Sequence, residues 1–212
     1  MMDKTMAIDL HLFEHPSVGE WRVASALVRA LGNVRNETGR DENGKKNTGQ
    51  DHGSWLGAIG YMAILDQIGK CFKPRNRPPL NNLNSIQKAL RYFTRIGQHK
   101  INAIYALRCA FTHDYSLYNQ NAKDPALQHR FTVTQGTKPP LVKLPKVAWD
   151  GDILNRNHQN QTVINLEKFG DLVEAIYKRL VKLHKHQGLE ILLKGGNEEL
   201  AQRYQIWTHR KK

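Results

Sequence analysis

The chain has 212 residues, 40% of them hydrophobic and 24% charged, which is enough for one hydrophobic core and too apolar for wholesale disorder. Its 32 Lys plus Arg against 19 Asp plus Glu give a formal net charge of +13, so a polyanionic partner, nucleic acid foremost, is expected to bind with an affinity that falls as salt rises. A basic surface that only keeps the protein soluble is the alternative. No apolar run approaches the roughly 20 residues that span a membrane, so no membrane partner is predicted. Residues 1–15 carry Asp3, Asp9 and Glu14 and lack an apolar core with a cleavage site, which predicts no signal peptide. Two cysteines, Cys71 and Cys109, with no Cys-x-x-Cys or Cys/His cluster, argue against a disulfide framework and a structural zinc site. The expected compartment is the reducing cytoplasm.

In chain order, residues 6–15 read as a short lead-in. Ser17-Val18-Gly19-Glu20 has the form of a capping box, and Trp21, Ala24, Leu27, Val28 and Leu31 follow at helical spacing, which predicts a helix over 17–34. Residues 36–53 contain no aliphatic side chain and read as a long, polar, flexible loop. Ser54 caps a predicted helix over 55–72, whose Gly57 and Gly60 permit a close helix neighbour. The stretch KPRNRPPLNNLN ends it, because consecutive prolines cannot continue a helix. A third helical stretch covers 85–112 with a bend near Gly97, or two helices divided there. Phe131-Thr-Val-Thr and Leu141-Val-Lys-Leu flank a turn with Gly136, Pro139 and Pro140, which predicts a β-hairpin within 129–150. Helices are predicted over 166–186, closed by Gly188, and after Asn197. The sum is a single domain over 1–212, mainly α, a helical bundle with a small β-hairpin insertion.

The candidate for chemistry is Arg108-Cys109-Ala110-Phe111-Thr112-His113, an R-x4-H pattern. Spacing alone is weak, because Arg179 to His184 and Arg203 to His209 match it or nearly so. Those two lie on a solvated basic helix and at a chain end. Arg108, by contrast, follows the apolar run 101–107, and a charge there needs a partner or a job. Residues five apart on a helix differ by about 140° around its axis, so Arg108 and His113 do not share one face. They meet if the helix ends at Thr112 and His113 turns back, or if two copies converge across a two-fold axis. The plain structural alternative is that Arg108 pairs with a carboxylate from another helix while His113 caps the helix C-terminus, where a cation is favoured.

The segment from Ala106 to Tyr118, ALRCAFTHDYSLY, resembles the signature of the HEPN superfamily of helical-bundle proteins, whose active members are metal-independent ribonucleases with an R-x4-6-H motif. Cys109 departs from the polar residue common after the arginine in that family. The resemblance implies a homodimer with two motifs facing a shared cleft, no cofactor and no metal. It assigns His113 to proton transfer at the 2′-hydroxyl or the leaving oxygen, and Arg108 to the scissile phosphate. Asp114 is then a candidate to orient His113 and Tyr115 to touch substrate, with Cys109 beside them. A toxin or defence role, with an antitoxin or regulatory partner, goes with this reading. Candidate RNA contacts are Arg75 and Arg77 in the proline-rich stretch and Tyr92 with Arg95 as a stacking and phosphate platform. The rival is a non-catalytic helical nucleic-acid-binding or protein-interaction module.

Overall fold

In the computed structural model the described residues are 3–18, 21–155 and 157–209, with side chains described except at 15–23 and 206–209. Asp3 caps α1 (Lys4–Leu12) by accepting from the Thr5 amide at 3.0 Å, so the segment read as a lead-in is a helix whose Ala7, Ile8, Leu10 and Leu12 are buried. The stretch predicted to begin a helix at Ser17 is instead two antiparallel strands, β1 (His15–Val18) and β2 (Trp21–Ser25). Gly19 and Glu20 of the expected capping box lie outside the described residues. The cap belongs to Ser25, whose Oγ accepts from the Leu27 and Val28 amides and starts α2 (Ala26–Glu37). The same hydroxyl donates to the His11 carbonyl at 2.6 Å, tying α1 to α2.

Helix α3 (Trp55–Cys71), capped by Ser54, runs through the core with Tyr61, Met62, Leu65 and Ile68 buried. Gly60 meets α2 closely: a Cβ there would sit 2.3 Å from Val34 Cγ2. An Asn84–Gln87 capping box starts α4 (Ser85–Phe93), and the chain breaks over 94–97 before α5 (Gln98–Asp114). Gly69 is where α3 takes the first turn of α4 against its own backbone, because a Cβ would lie 1.7 Å from the Ser85 carbonyl oxygen. Gly69→Ala is therefore expected to destabilise the fold by about 1–3 kcal/mol through overpacking against immovable backbone, read as a lower urea midpoint. Asn165 caps α6 (Leu166–Lys185), and the N-cap of α7 (Gly196–Tyr204) is Gly195 rather than the expected Asn197.

The strands overturn the expectation of a helical bundle whose only strands form one small hairpin. β3 (Phe72–Pro74) pairs with β8 (Leu189–Ile191), and β2 pairs with β9 (Gln205–His209) from the other end of the chain. A four-stranded mixed sheet runs in the order β4 (Tyr118–Asn119), β5 (His129–Thr134), β7 (Gln161–Asn165), β6 (Val142–Lys143). The predicted hairpin is absent because β7 lies between its two arms, parallel to β5 and antiparallel to β6. Asn165 explains the preference. Its Nδ2 donates to the Gly136 and Pro139 carbonyls at 2.8 and 3.2 Å, and its backbone amide donates to Leu141, so the turn closes onto β7. The architecture is mixed α/β, seven helices around a single core with small sheets at its margins among the described residues. None of these helices is long and apolar enough to cross a membrane.

The polar stretch 36–53 is packed along α6 through charge. Arg40, 4% exposed, pairs with Asp171 at 2.8 Å and donates to the Glu167 carbonyl, while Lys46 bridges Glu167 and Asp171 at 2.5 and 3.2 Å. Arg35 forks onto Glu174 with Nε and Nη2 at 2.9 and 2.7 Å. The composition read as loop is thus one half of an ion-pair ladder whose other half is the acidic edge of α6.

Candidate functional site

The buried residues of α5, among them Ala103, Ile104, Ala106, Leu107, Ala110 and Phe111, leave one solvent-facing stripe through Asn102, Tyr105, Cys109 and Thr112. Arg108 and His113 sit on opposite edges of that stripe, because five helical steps rotate about 140°. Arg108 faces α3: its Nε and Nη2 lie 3.2 and 3.1 Å from Asp66 Oδ2, with both side chains about one-third exposed. Burial pushes the Asp66 carboxyl above its ordinary value, and Arg108 pulls against that. The Thr112 hydroxyl donates to the Arg108 carbonyl at 2.8 Å.

His113 is exposed in the last turn. The helix does not stop at Thr112 as expected but continues through Asp114, so His113 does not fold back towards Arg108. Tyr115 ends it in the left-handed conformation, φ 51°, and the Tyr115 and Ser116 amides both donate to the Ala110 carbonyl. That unfavourable backbone is held by ring packing. Tyr115 stacks on Trp55 at 5.5 Å and 12°, and Trp55 rests on buried Phe111 at 4.7 Å. Tyr115 thus terminates the helix with one face of its ring while the residue stays 58% exposed. Among the described residues no hydrogen bond or ion pair joins Arg108 to His113, or Asp114 to His113. Cys109 is partly exposed, and burial first, then the neighbouring Cys109 thiol, raises the Tyr105 hydroxyl above its ordinary range.

The decoy pairs have structural duties. Arg179 Nη1 donates to the Phe93 carbonyl, His184 Nε2 lies 2.8 Å from Asp9, and Arg203 pairs with Glu199 one turn away. The side chain of His209 lies outside those described. The proposed RNA contacts separate. Tyr92 is 4% exposed, and its hydroxyl donates to the Pro78 carbonyl and accepts from the Leu80 amide, so it pins the proline-rich loop and offers no open face for stacking. Arg75 Nε stands 3.8 Å from Glu190, whose other oxygen is held by Lys73. Arg77 is exposed and its carbonyl accepts from Lys73. Arg95 is exposed at the rim of a cavity of about 590 Å³ beside the start of α5.

Sequence reasoning did not single out Asp66, Trp55 as the support of Tyr115, or Tyr105. Asp66 carried a signal: it is the one charge in the mostly apolar run 55–69, and such a charge demands a partner. No protein family, curated protein or solved structure matches the chain.

Proposed function

We propose that this protein is a metal-independent endoribonuclease of the HEPN type, acting as a homodimer. The observation that carries the reading is the placement of Arg108 and His113 on the two edges of a single partly exposed stripe towards the end of α5, with Arg108 already oriented by Asp66. The pair diverges within one chain. A two-fold packing of the α3–α5 face lines one groove with two arginines and two histidines. Leu56 and Tyr115, 59% and 58% exposed, with exposed Ala63 between them and Asp66, give that face the apolar content a dimer contact uses.

In the reaction His113 takes the proton of the RNA 2′-hydroxyl, whose oxygen attacks the adjacent phosphorus. The 5′-oxygen leaves with a proton from the second His113 of the groove, and the products end in a 2′,3′-cyclic phosphate and a 5′-hydroxyl. Arg108 supplies a fixed forked cation to the charge that develops on the phosphoryl oxygens. No water is consumed in this step.

The Arg108–Asp66 ion pair also supports a second reading, a non-catalytic nucleic-acid-binding module in which Arg108 joins α5 to α3 and His113 complements the helix C-terminus. Labelled single-stranded RNA incubated with the protein in EDTA separates the two. Wild-type protein is expected to leave cyclic phosphate ends, and His113→Ala to cut about 10²–10⁴-fold more slowly. Equal cleavage by both, or RNA binding without cleavage, overturns the enzyme. A strict monomer by solution mass removes the shared groove.

A further inference from the structure

The 19 acidic residues are unevenly spread: none falls in 67–113, in 125–149 or in 175–189. These three acid-free stretches meet at one corner of the fold, where the α4–α5 connection passes between β6 and the second half of α6. Two cavities flank that corner. One, about 590 Å³, has Arg95, His99 and Lys100 at its rim and Ile96, Leu141 and Leu144 as apolar lining. The other, about 490 Å³, is lined by Lys178, Arg179, Lys182, Leu183 and His186 along α6. Arg179, in the lining of the second, ties α6 to the α4 end by donating to the Phe93 carbonyl at 3.2 Å, two residues ahead of Arg95 in the chain. Among the described residues, Arg95, Lys100, Lys178 and Lys182 form no ion pair, whereas Arg35, Arg40 and Lys46 are each paired with an acid of α6.

We propose that this corner is a binding track for single-stranded RNA, with the phosphodiester backbone running from the Lys178–Lys182 side of α6 across Arg95 to His99 and Lys100. The charge argument is direct. Unpaired cations that share no carboxylate gain most from a polyanion, because each contact releases a condensed counterion. The apolar linings select the strand form. Bases of a single strand are free to leave solvent for Ile96, Leu141, Leu144 and Leu183, while a duplex keeps its bases inside. This track lies at the opposite end of α5 from His113, roughly 20 Å away at 1.5 Å per residue, so it deepens the ribonuclease reading as the place where substrate beyond the cut is held. It does not depend on cleavage.

The test is fluorescence anisotropy of labelled oligouridine with the full chain over a salt series. Arg95→Glu with Lys100→Glu, and separately Lys178→Glu with Lys182→Glu, are each expected to weaken binding at least tenfold at low salt. Each should also flatten the plot of log affinity against log salt by about 1.4, two phosphate contacts at 0.7 each. Lys45→Glu with Lys123→Glu, an equal charge change elsewhere, should change affinity less than threefold. Circular dichroism melts confirm that each variant is folded, and Arg95→Gln with Lys100→Gln provides a milder variant if charge reversal unfolds the protein. Equal weakening by the control pair overturns the track, as does equal affinity for duplex DNA or tighter binding to phosphatidylserine vesicles. RNA binding lost in the track variants but kept in His113→Ala supports the track even where no cleavage occurs. RNA cleavage with unaltered affinity in the track variants leaves the nuclease standing and removes the track.

Discussion

Lowering the pH from 6.5 to 4.5 should cost the fold about 2–3 kcal/mol through His11. The ring has no solvent exposure, packs against Phe72 and Tyr204 at 5.3 and 5.8 Å, and has an Nδ1 with no partner. Burial lowers its pKa from 6.5 to about 3. The unfolded chain therefore takes a proton below pH 6.5 that the folded chain refuses down to about pH 3. Stability is full above 6.5 and falls steadily across that window. His129, also lowered by burial, acts in the same direction. Asp66, raised by burial, opposes them as it takes up its proton. Carboxylates held low, such as Glu167 beside Lys46 and Glu190 beside Lys73, add their losses only below their ordinary range near 4.5. Urea unfolding at pH 7, 6, 5 and 4.5 measures the slope, and His11→Gln should flatten it. An unchanged slope in that variant would remove His11 as its source.

Glu174→Ala should destabilise the protein by about 3–5 kcal/mol, the cost of stranding a buried partner. The Glu174 side chain is 4% exposed and the Arg35 side chain 12%. One carboxylate accepts both Arg35 nitrogens and the Tyr61 hydroxyl at 3.1 Å. Arg35 also donates to the Glu42 carbonyl at 2.6 Å, so the loop over 36–53 and α6 lose a shared fastener together. Gly44, φ 76°, comes so near that a Cβ would sit 2.2 Å from Glu174 Oε2. The double change Arg35→Met with Glu174→Leu removes both charges and should cost less than the two single changes summed. A Glu174→Ala loss under about 1 kcal/mol would place the pair with ordinary surface ion pairs.

Long helices were readable from the sequence because the spacing of their apolar residues repeats over several turns. The helix at 55–72 and that at 166–186 each end within a residue of α3 and α6. The strands were not readable, for a local reason. Trp21, Ala24, Leu27 and Leu31 continue one helical spacing across Ser25, yet residues 21–25 are extended because they have β9 to pair with, nearly the whole chain away. The pairing decides, and spacing within one segment carries no trace of it. The hairpin failed similarly: two arms and a turn were visible, but the third strand that enters between them, Gln161–Asn165, is short and polar at both ends.

At the site, Arg108 and His113 were legible as residue types on an apolar background, and their separation followed from helix rotation. The continuation to Asp114 was not, because it depends on Tyr115 finding Trp55 from another helix. Tyr92 shows the opposite error. Beside Phe93 and Arg95 it looked like a platform, but the hydroxyl that suggests a surface residue is spent on the Pro78–Leu80 backbone.

The insertion of β7 between β5 and β6 has a consequence for synthesis. A chain made from its N-terminus presents residues 129–143 well before 161–165 exist, so two strand edges that belong together through a third wait without it. An exposed edge of that kind invites pairing with another chain. The wait ends at Asn165, the residue that closes the turn, completes the ladder and caps α6. Sheet closure and the start of the longest helix are therefore one event, and a chain cut short before residue 161 would lose both.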